Sequence, residues 1–281
     1  LNIFTQDKFN LNSQSKVSSL GGEIKVNVGD EYAQNGESIL STSQGKIQVN
    51  ADQVILGDQS RVSNEQGSIE LKSENKFTMN NDAKIDLITG VIELKSNKDN
   101  LELNNKASII VGQGQLILDS GNDIVLNDQS KVISNGGSFY IKAANQYNQK
   151  GSSEVRVNQG ESQLSAASLV LEDQAQLNNG NGFLEILSAS TIELKDEAQV
   201  NTLEGDIFVQ SEGAISLEDG AQITSQLGSL NIFTEDKFTL NNQSKVSSLG
   251  GEIKVNVGDE YAQYGESILS TSQGKIQVNA D

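Results

Sequence analysis

Glycine recurs along this chain at an almost constant interval: Gly22, Gly45, Gly67, Gly90, Gly114, Gly137, Gly160, Gly182, Gly205, Gly228, Gly251 and Gly274. Successive spacings are 23, 22, 23, 24, 23, 23, 22, 23, 23, 23 and 23. A fixed period in this range marks a repeat architecture, in which no single unit buries its apolar face alone and neighbours must stack. A longer repetition lies over the short one. Leu1–Asp52 recurs as Leu230–Asp281, an offset of 229, and differs only at Gln6/Glu235, Asn10/Thr239, Ser13/Asn242 and Asn35/Tyr264. The long unit is therefore ten short ones, Gly22 to Gly251, and its near-identical ends point to a recent duplication.

Aligning the chain on these glycines exposes the local structure. The second residue after each is Ile24, Ile47, Ile69, Ile92, Leu116, Phe139, Ser162, Leu184, Ile207, Leu230, Ile253 and Ile276, apolar but for Ser162. The fourth is apolar throughout, from Val26, Val49 and Leu71 to Val255 and Val278. Polar residues mostly stand between, and alternation at period two predicts a strand with one buried face. A second alternating pair follows about ten residues on, as in Phe77/Met79, Ile124/Leu126 and Ile215/Leu217. Then comes Gly, Asp or Asn, as at Gly36, Asp58, Asn81 and Asp128, residues that tolerate left-handed backbone. Two residues later the side chain is always Ser or Ala, as at Ser38, Ser60, Ala83 and Ala107. An invariantly small residue fits an inward position where the cross-section narrows. Another apolar residue, such as Val62, Ile85 or Val132, closes the repeat.

The predicted fold class is all-β: a parallel β-helix, or β-solenoid, with three short strands per coil. Each coil takes about 23 residues, a length typical of stacked repeat units. We expect residues 1–281 to form a single continuous β-solenoid of about 12 coils. Leu1 is not a start Met, so we expect the chain to be a piece of a longer repeat protein. Neither end carries a polar cap, which fits continuation of the parent chain or head-to-tail stacking. With strands ~4.8 Å apart, twelve coils would span about 55 Å. The absence of Pro agrees, because a central strand cannot spare a ladder hydrogen bond. Tetratricopeptide and armadillo repeats need longer periods, and the leucine-rich frame is missing.

Segments such as Gly205-Asp-Ile-Phe-Val and Ile215-Ser-Leu-Glu-Asp-Gly-Ala-Gln-Ile-Thr-Ser225, with their counterparts at 192–200, 238–247 and 124–134, resemble the repeats of filamentous haemagglutinin-type proteins. The resemblance extends over essentially the whole chain. It implies a right-handed coil and a secreted bacterial exoprotein that acts at the cell surface in adhesion, aggregation or competition. The secretion domain that usually opens such proteins is not visible in residues 1–281.

The chemistry-bearing residues are few. There is no His, Cys or Trp, so the commonest general base and the thiolate metal sites are missing. A net charge of −18 opposes nucleic-acid binding. No apolar run is long enough to cross a membrane, so no membrane insertion is expected. The best carboxylate pair is Glu70 and Glu93, on equivalent outward positions of adjacent coils, with Lys72 and Lys95 beside them. This arrangement fits a solvated surface better than an acid pair for glycoside hydrolysis. The Asp and Asn corners read as turn formers, since the calcium-binding nonapeptide frame is absent. No cofactor, metal or catalytic residue is expected, and the chain is read as a non-enzyme.

One feature departs from the polar outward pattern. Ile117, Tyr140, Phe183, Leu187, Phe208 and Phe233 occupy outward positions of the first strand. Clustered exposed apolar residues suggest a contact surface, and we take these six as a candidate lateral contact face. The expected role is that of a structural and interaction protein, a segment of a giant secreted fibre serving as adhesin, filament or matrix component. Its expected partners are other copies of itself, end to end or side by side, and glycans or proteins of a host or neighbouring cell. The alternatives are a carbohydrate-binding or carbohydrate-active β-helix, or a passive stalk presenting a toxin or receptor-binding domain.

Overall fold

The computed structural model describes residues 1–280; Asp281, the last residue of the repeated segment that begins at Leu230, lies outside the described residues. The chain divides into two compact units, Leu1–Ala144 and Asn145–Asp281. Each is built of parallel strands wound as a β-solenoid, with no helix among the described residues. Six of the periodic glycines fall in each unit.

In the first unit every first strand pairs in parallel with its equivalent one coil away. Asn2 partners Lys25, Lys25 partners Gln48, Gln48 partners Glu70, Glu70 partners Glu93, Glu93 partners Ile117 and Ile117 partners Tyr140. The register thus follows the glycine spacing residue for residue, including the one short and the one long repeat. Second strands form their own ladder, from Phe9–Leu11 through Glu31–Gln34, Gln53–Leu56, Phe77–Met79 and Leu101–Leu103 to Ile124–Leu126.

The second unit repeats the plan. Leu184 partners Ile207, Ile207 partners Leu230 and Leu230 partners Ile253. Its second strands run from Gln146–Gln149 through Ser168–Leu171, Ile192–Leu194, Ile215–Leu217 and Phe238–Leu240 to Tyr261–Gln263.

The alternating residues fill the interior as the pattern predicts, except Ile276 and Val278, which are exposed. Val26, Val49, Leu71, Leu94, Leu118 and Ile141 are buried in the first unit, and Leu164, Ile186, Val209, Ile232 and Val255 in the second. Each such side chain contributes roughly 1.5–3 kcal/mol by leaving water. The small residue after the corner also points inward: Ser38, Ser60, Ala83, Ala107 and Ser130 are buried in the first unit, and Ala175, Ala198, Ala221 and Ser244 in the second. Ser60 is fully buried, and its hydroxyl finds no hydrogen-bond partner among the described residues. Volume, and not polarity, decides what this position accepts.

The corners between second and third strands have one geometry. At Asp58–Gln59, Asn81–Asp82, Asn105–Lys106 and Asp173–Gln174 both residues hold positive φ, between 47° and 65°. The Ser60 amide donates to the Gly57 carbonyl, and that of Ala83 to Asn80, closing a tight turn. Two consecutive left-handed residues account for the Gly, Asp and Asn preference.

The glycine corner differs from the three-strand expectation in four places. Ile39–Ala51, Arg61–Ser73, Lys84–Ser96 and Ser108–Ser120 are uninterrupted strands of 13 residues. Each joins the third strand of one coil to the first strand of the next through the glycine. Gly67, Gly90 and Gly114 bend the chain with φ of 128°, 137° and 128°, yet stay register partners. The ladder therefore passes through the bend.

Candidate contact face

The outward positions of the first strand are three: one, three and five residues after each glycine. In the second unit they gather apolar residues into a cluster centred on Phe208. Phe208 partners Glu185 directly beneath it, and Leu187 partners Gln210, which in turn partners Phe233. Phe183 and Leu187 flank Glu185 on the lower coil, so both are diagonal neighbours of Phe208, and so is Phe233 on the coil above. Diagonal neighbours in a sheet lie within reach of aromatic and long side chains. Leu187, Phe208 and Phe233 are half-buried, whereas Phe183 is 40% exposed.

In the first unit Ile117 and Tyr140 are direct register partners, both half-buried. The six predicted residues thus resolve into a pair and a cluster of four. The coil that lies between them in sequence carries Glu161, Gln163 and Ser165 at the same positions.

A second apolar row lies on the other side of the glycine corner, and the strand pattern alone does not reveal it. Leu203, Leu227 and Leu249 stand one or two residues before Gly205, Gly228 and Gly251, with exposures of 45%, 62% and 47%. They occupy successive coils, and the Leu227 amide donates to the Leu203 carbonyl at 3.1 Å. The available signal was a leucine where the other repeats mostly carry polar residues or Gly.

The outward polar positions are knitted along the stack. The Asn50 Nδ2 donates to Asn27 Oδ1 at 2.9 Å, and Asn104 bridges Asn80 and Asn127 at 3.0 and 2.8 Å. At the corners Asn81 donates to Asp58 and Asn105 to Asn81, each at 3.0 Å. The Asp and Asn side chains therefore serve one another. Among the described residues no group of three His, Cys, Asp or Glu side chains is placed to hold a metal ion.

Glu70 and Glu93 are register partners, as the spacing predicts. Glu70 is tied to both Lys46 and Lys72, and Lys72 also reaches Glu93 at 3.2 Å. Partial burial pushes the Glu70 carboxyl up, but the two ammonium groups outweigh it and hold it below the usual carboxylate range. A general acid for glycoside cleavage needs the opposite shift.

Inside the coils a polar module replaces the apolar second-strand pair. Tyr32 is fully buried, stacks on Phe9 at 5.8 Å and donates its hydroxyl to Gln34 Oε1 at 2.9 Å. Gln34 Nε2 donates to the carbonyls of Ser38 in its own coil and Arg61 in the next, both at 2.9 Å. Tyr147 and Gln149 repeat this arrangement onto Ser153 and Gln176. Burial pushes the phenols of Tyr32 and Tyr147 far up.

Fold and surface together define a repeat protein of the parallel β-solenoid class, with packed interiors and knitted outer ladders. Comparison with known protein families, curated proteins and solved structures finds no match to the chain.

Proposed function

We propose that this chain is a non-catalytic structural and interaction protein, a segment of a giant secreted fibre at the bacterial cell surface. One observation carries the reading. Within each unit the same parallel register recurs coil after coil, and the glycine spacing varies only from 22 to 24. Such regularity yields a stiff stack and leaves no long loop to wall a catalytic cleft. The resemblance to filamentous haemagglutinin-type repeats supports an extracellular location and a role as adhesin, filament or matrix component. The outward apolar residues then serve as contact points for other copies of the chain, or for proteins or glycans on another cell. Repetition of such points multiplies weak contacts through avidity.

The test is electron microscopy of the native material beside a Phe208→Ser/Leu187→Ser variant. Filaments or bundles are expected, with thinner or dispersed assemblies in the variant. Globular particles would overturn the fibre reading. Release of reducing sugar from a polysaccharide, abolished by Glu93→Gln, would overturn the non-enzyme reading.

A further inference from the structure

Charge is unevenly divided along the chain. Residues 1–144 carry 18 acidic and 13 basic side chains; residues 145–281 carry 20 and 7. Between residues 161 and 234 the contrast is sharpest, with 12 acidic side chains and one basic, Lys195. That lysine is already engaged with Glu172 at 3.2 Å. These are the coils that carry most of the apolar cluster and two of the three corner leucines.

The two features interleave. One residue after the glycines, the outward column reads Glu161, Phe183, Asp206, Ser229 and Glu252, in which Glu161, Phe183, Asp206 and Glu252 are exposed. Phe183 therefore sits between two exposed carboxylates on adjacent coils. Glu185 lies directly beneath Phe208, and exposed Glu204 follows Leu203 in the chain. Exposed apolar side chains on both sides of the glycine corner of the second unit thus stand beside exposed carboxylates.

We propose that the glycine corner of the second unit, with the residues on either side of it, docks a basic amphipathic polypeptide segment, one that alternates cationic and apolar side chains. The proposal rests on the non-catalytic interaction reading above and names the partner's chemistry. Phe183, Leu203, Leu227 and Leu249 offer apolar surface to the partner's apolar side chains. Glu161, Glu204, Asp206 and Glu252 receive its ammonium or guanidinium groups. A second copy set on Phe183 and the corner leucines would bring matching carboxylates together, so contact between copies is left to the half-buried cluster around Phe208 and Leu187.

The test uses fluorescence anisotropy with labelled synthetic peptides: one alternating Lys and Leu, one alternating Lys and Ser with equal charge, and one alternating Glu and Leu. The Lys–Leu peptide is expected to bind the intact chain, more weakly as salt rises. A Phe183→Ser/Leu203→Ser/Leu227→Ser/Leu249→Ser variant should lose about tenfold or more in affinity while keeping its β signal in circular dichroism. A Glu161→Gln/Glu204→Gln/Asp206→Asn/Glu252→Gln variant should bind more weakly and with a shallower salt dependence. Equal binding of the Lys–Ser or Glu–Leu peptide, or unchanged affinity in the apolar variant, would overturn the proposal. So would a concentration-dependent dimer in sedimentation that the apolar variant abolishes. Filaments without peptide binding sink only this inference; peptide binding without filaments sinks only the fibre reading.

Discussion

Gly67 and Gly90 are register partners on neighbouring coils, and a methyl group built on Gly90 would overlap the carbonyl oxygen of Gly67. Two demands meet at this position: φ of 137°, which L side chains avoid, and backbone packed against backbone.

Gly90→Ala should therefore destabilise the fold by about 3 kcal/mol, combining steric overlap with backbone strain. Urea unfolding followed by circular dichroism measures it. A variant with an unchanged midpoint would show that the coils can separate at this corner.

Ser60→Ala is expected to leave stability unchanged or raise it by about 1 kcal/mol, because it removes a buried hydroxyl without a partner. Ala83 and Ala107 already hold the equivalent position in later coils. Ser60→Leu should instead cost about 1–3 kcal/mol by overfilling the interior. Thermal melts of both variants separate volume from polarity as the governing constraint.

Gln34→Ala should cost about 3 kcal/mol, since it strips the Tyr32 hydroxyl and the Ser38 and Arg61 carbonyls of their partner. The phenols of Tyr32 and Tyr147 are raised in the folded state, so their contribution is present below the ordinary tyrosine value of about 10. It is lost as pH climbs above that value, where the unfolded chain releases protons that the folded chain holds. In an alkaline titration the phenolate absorbance of these two tyrosines should rise only together with loss of the β signal.

Glu70 is held below its ordinary value, so its contribution is present above the unfolded value and lost as pH falls through the folded one. Acidification also relieves repulsion in a chain of net charge −18, which acts in the opposite direction. The comparison that isolates the ion cluster is wild type against Glu70→Gln. The stability gap between them should be widest near neutrality and should close as pH falls through the carboxylate range. A gap that stays constant with pH would mean that Lys46 and Lys72 do not stabilise the carboxylate.

Much of the fold was legible because packing is periodic. Val49, Leu71 and Leu94 announce an inward column through spacing alone, and Ser60 and Ala83 announce a narrow one through size. What spacing could not reveal depends on hydrogen bonds to the backbone. Gln34 reads as a polar interruption until its amide is seen to bind two carbonyls on different coils. Strand continuity through Gly45 and Gly67 was hidden for a related reason, since a glycine reads as a break until its ladder partners are known. At the surface, Phe183 and Phe208 stood out against polar neighbours. Leu203 and Leu227 did not, because a corner has no alternation against which a leucine looks misplaced.

The register that joins each coil to the next depends only on which turn of the period a residue occupies, not on its place along the chain. Segments 1–51 and 230–280 are therefore interchangeable as templates, and they differ at only four positions. Unequal recombination between such copies would add or remove a whole ten-coil unit at once while leaving every strand with a suitable neighbour. Such an exchange would change the length of the chain by 229 residues at a time.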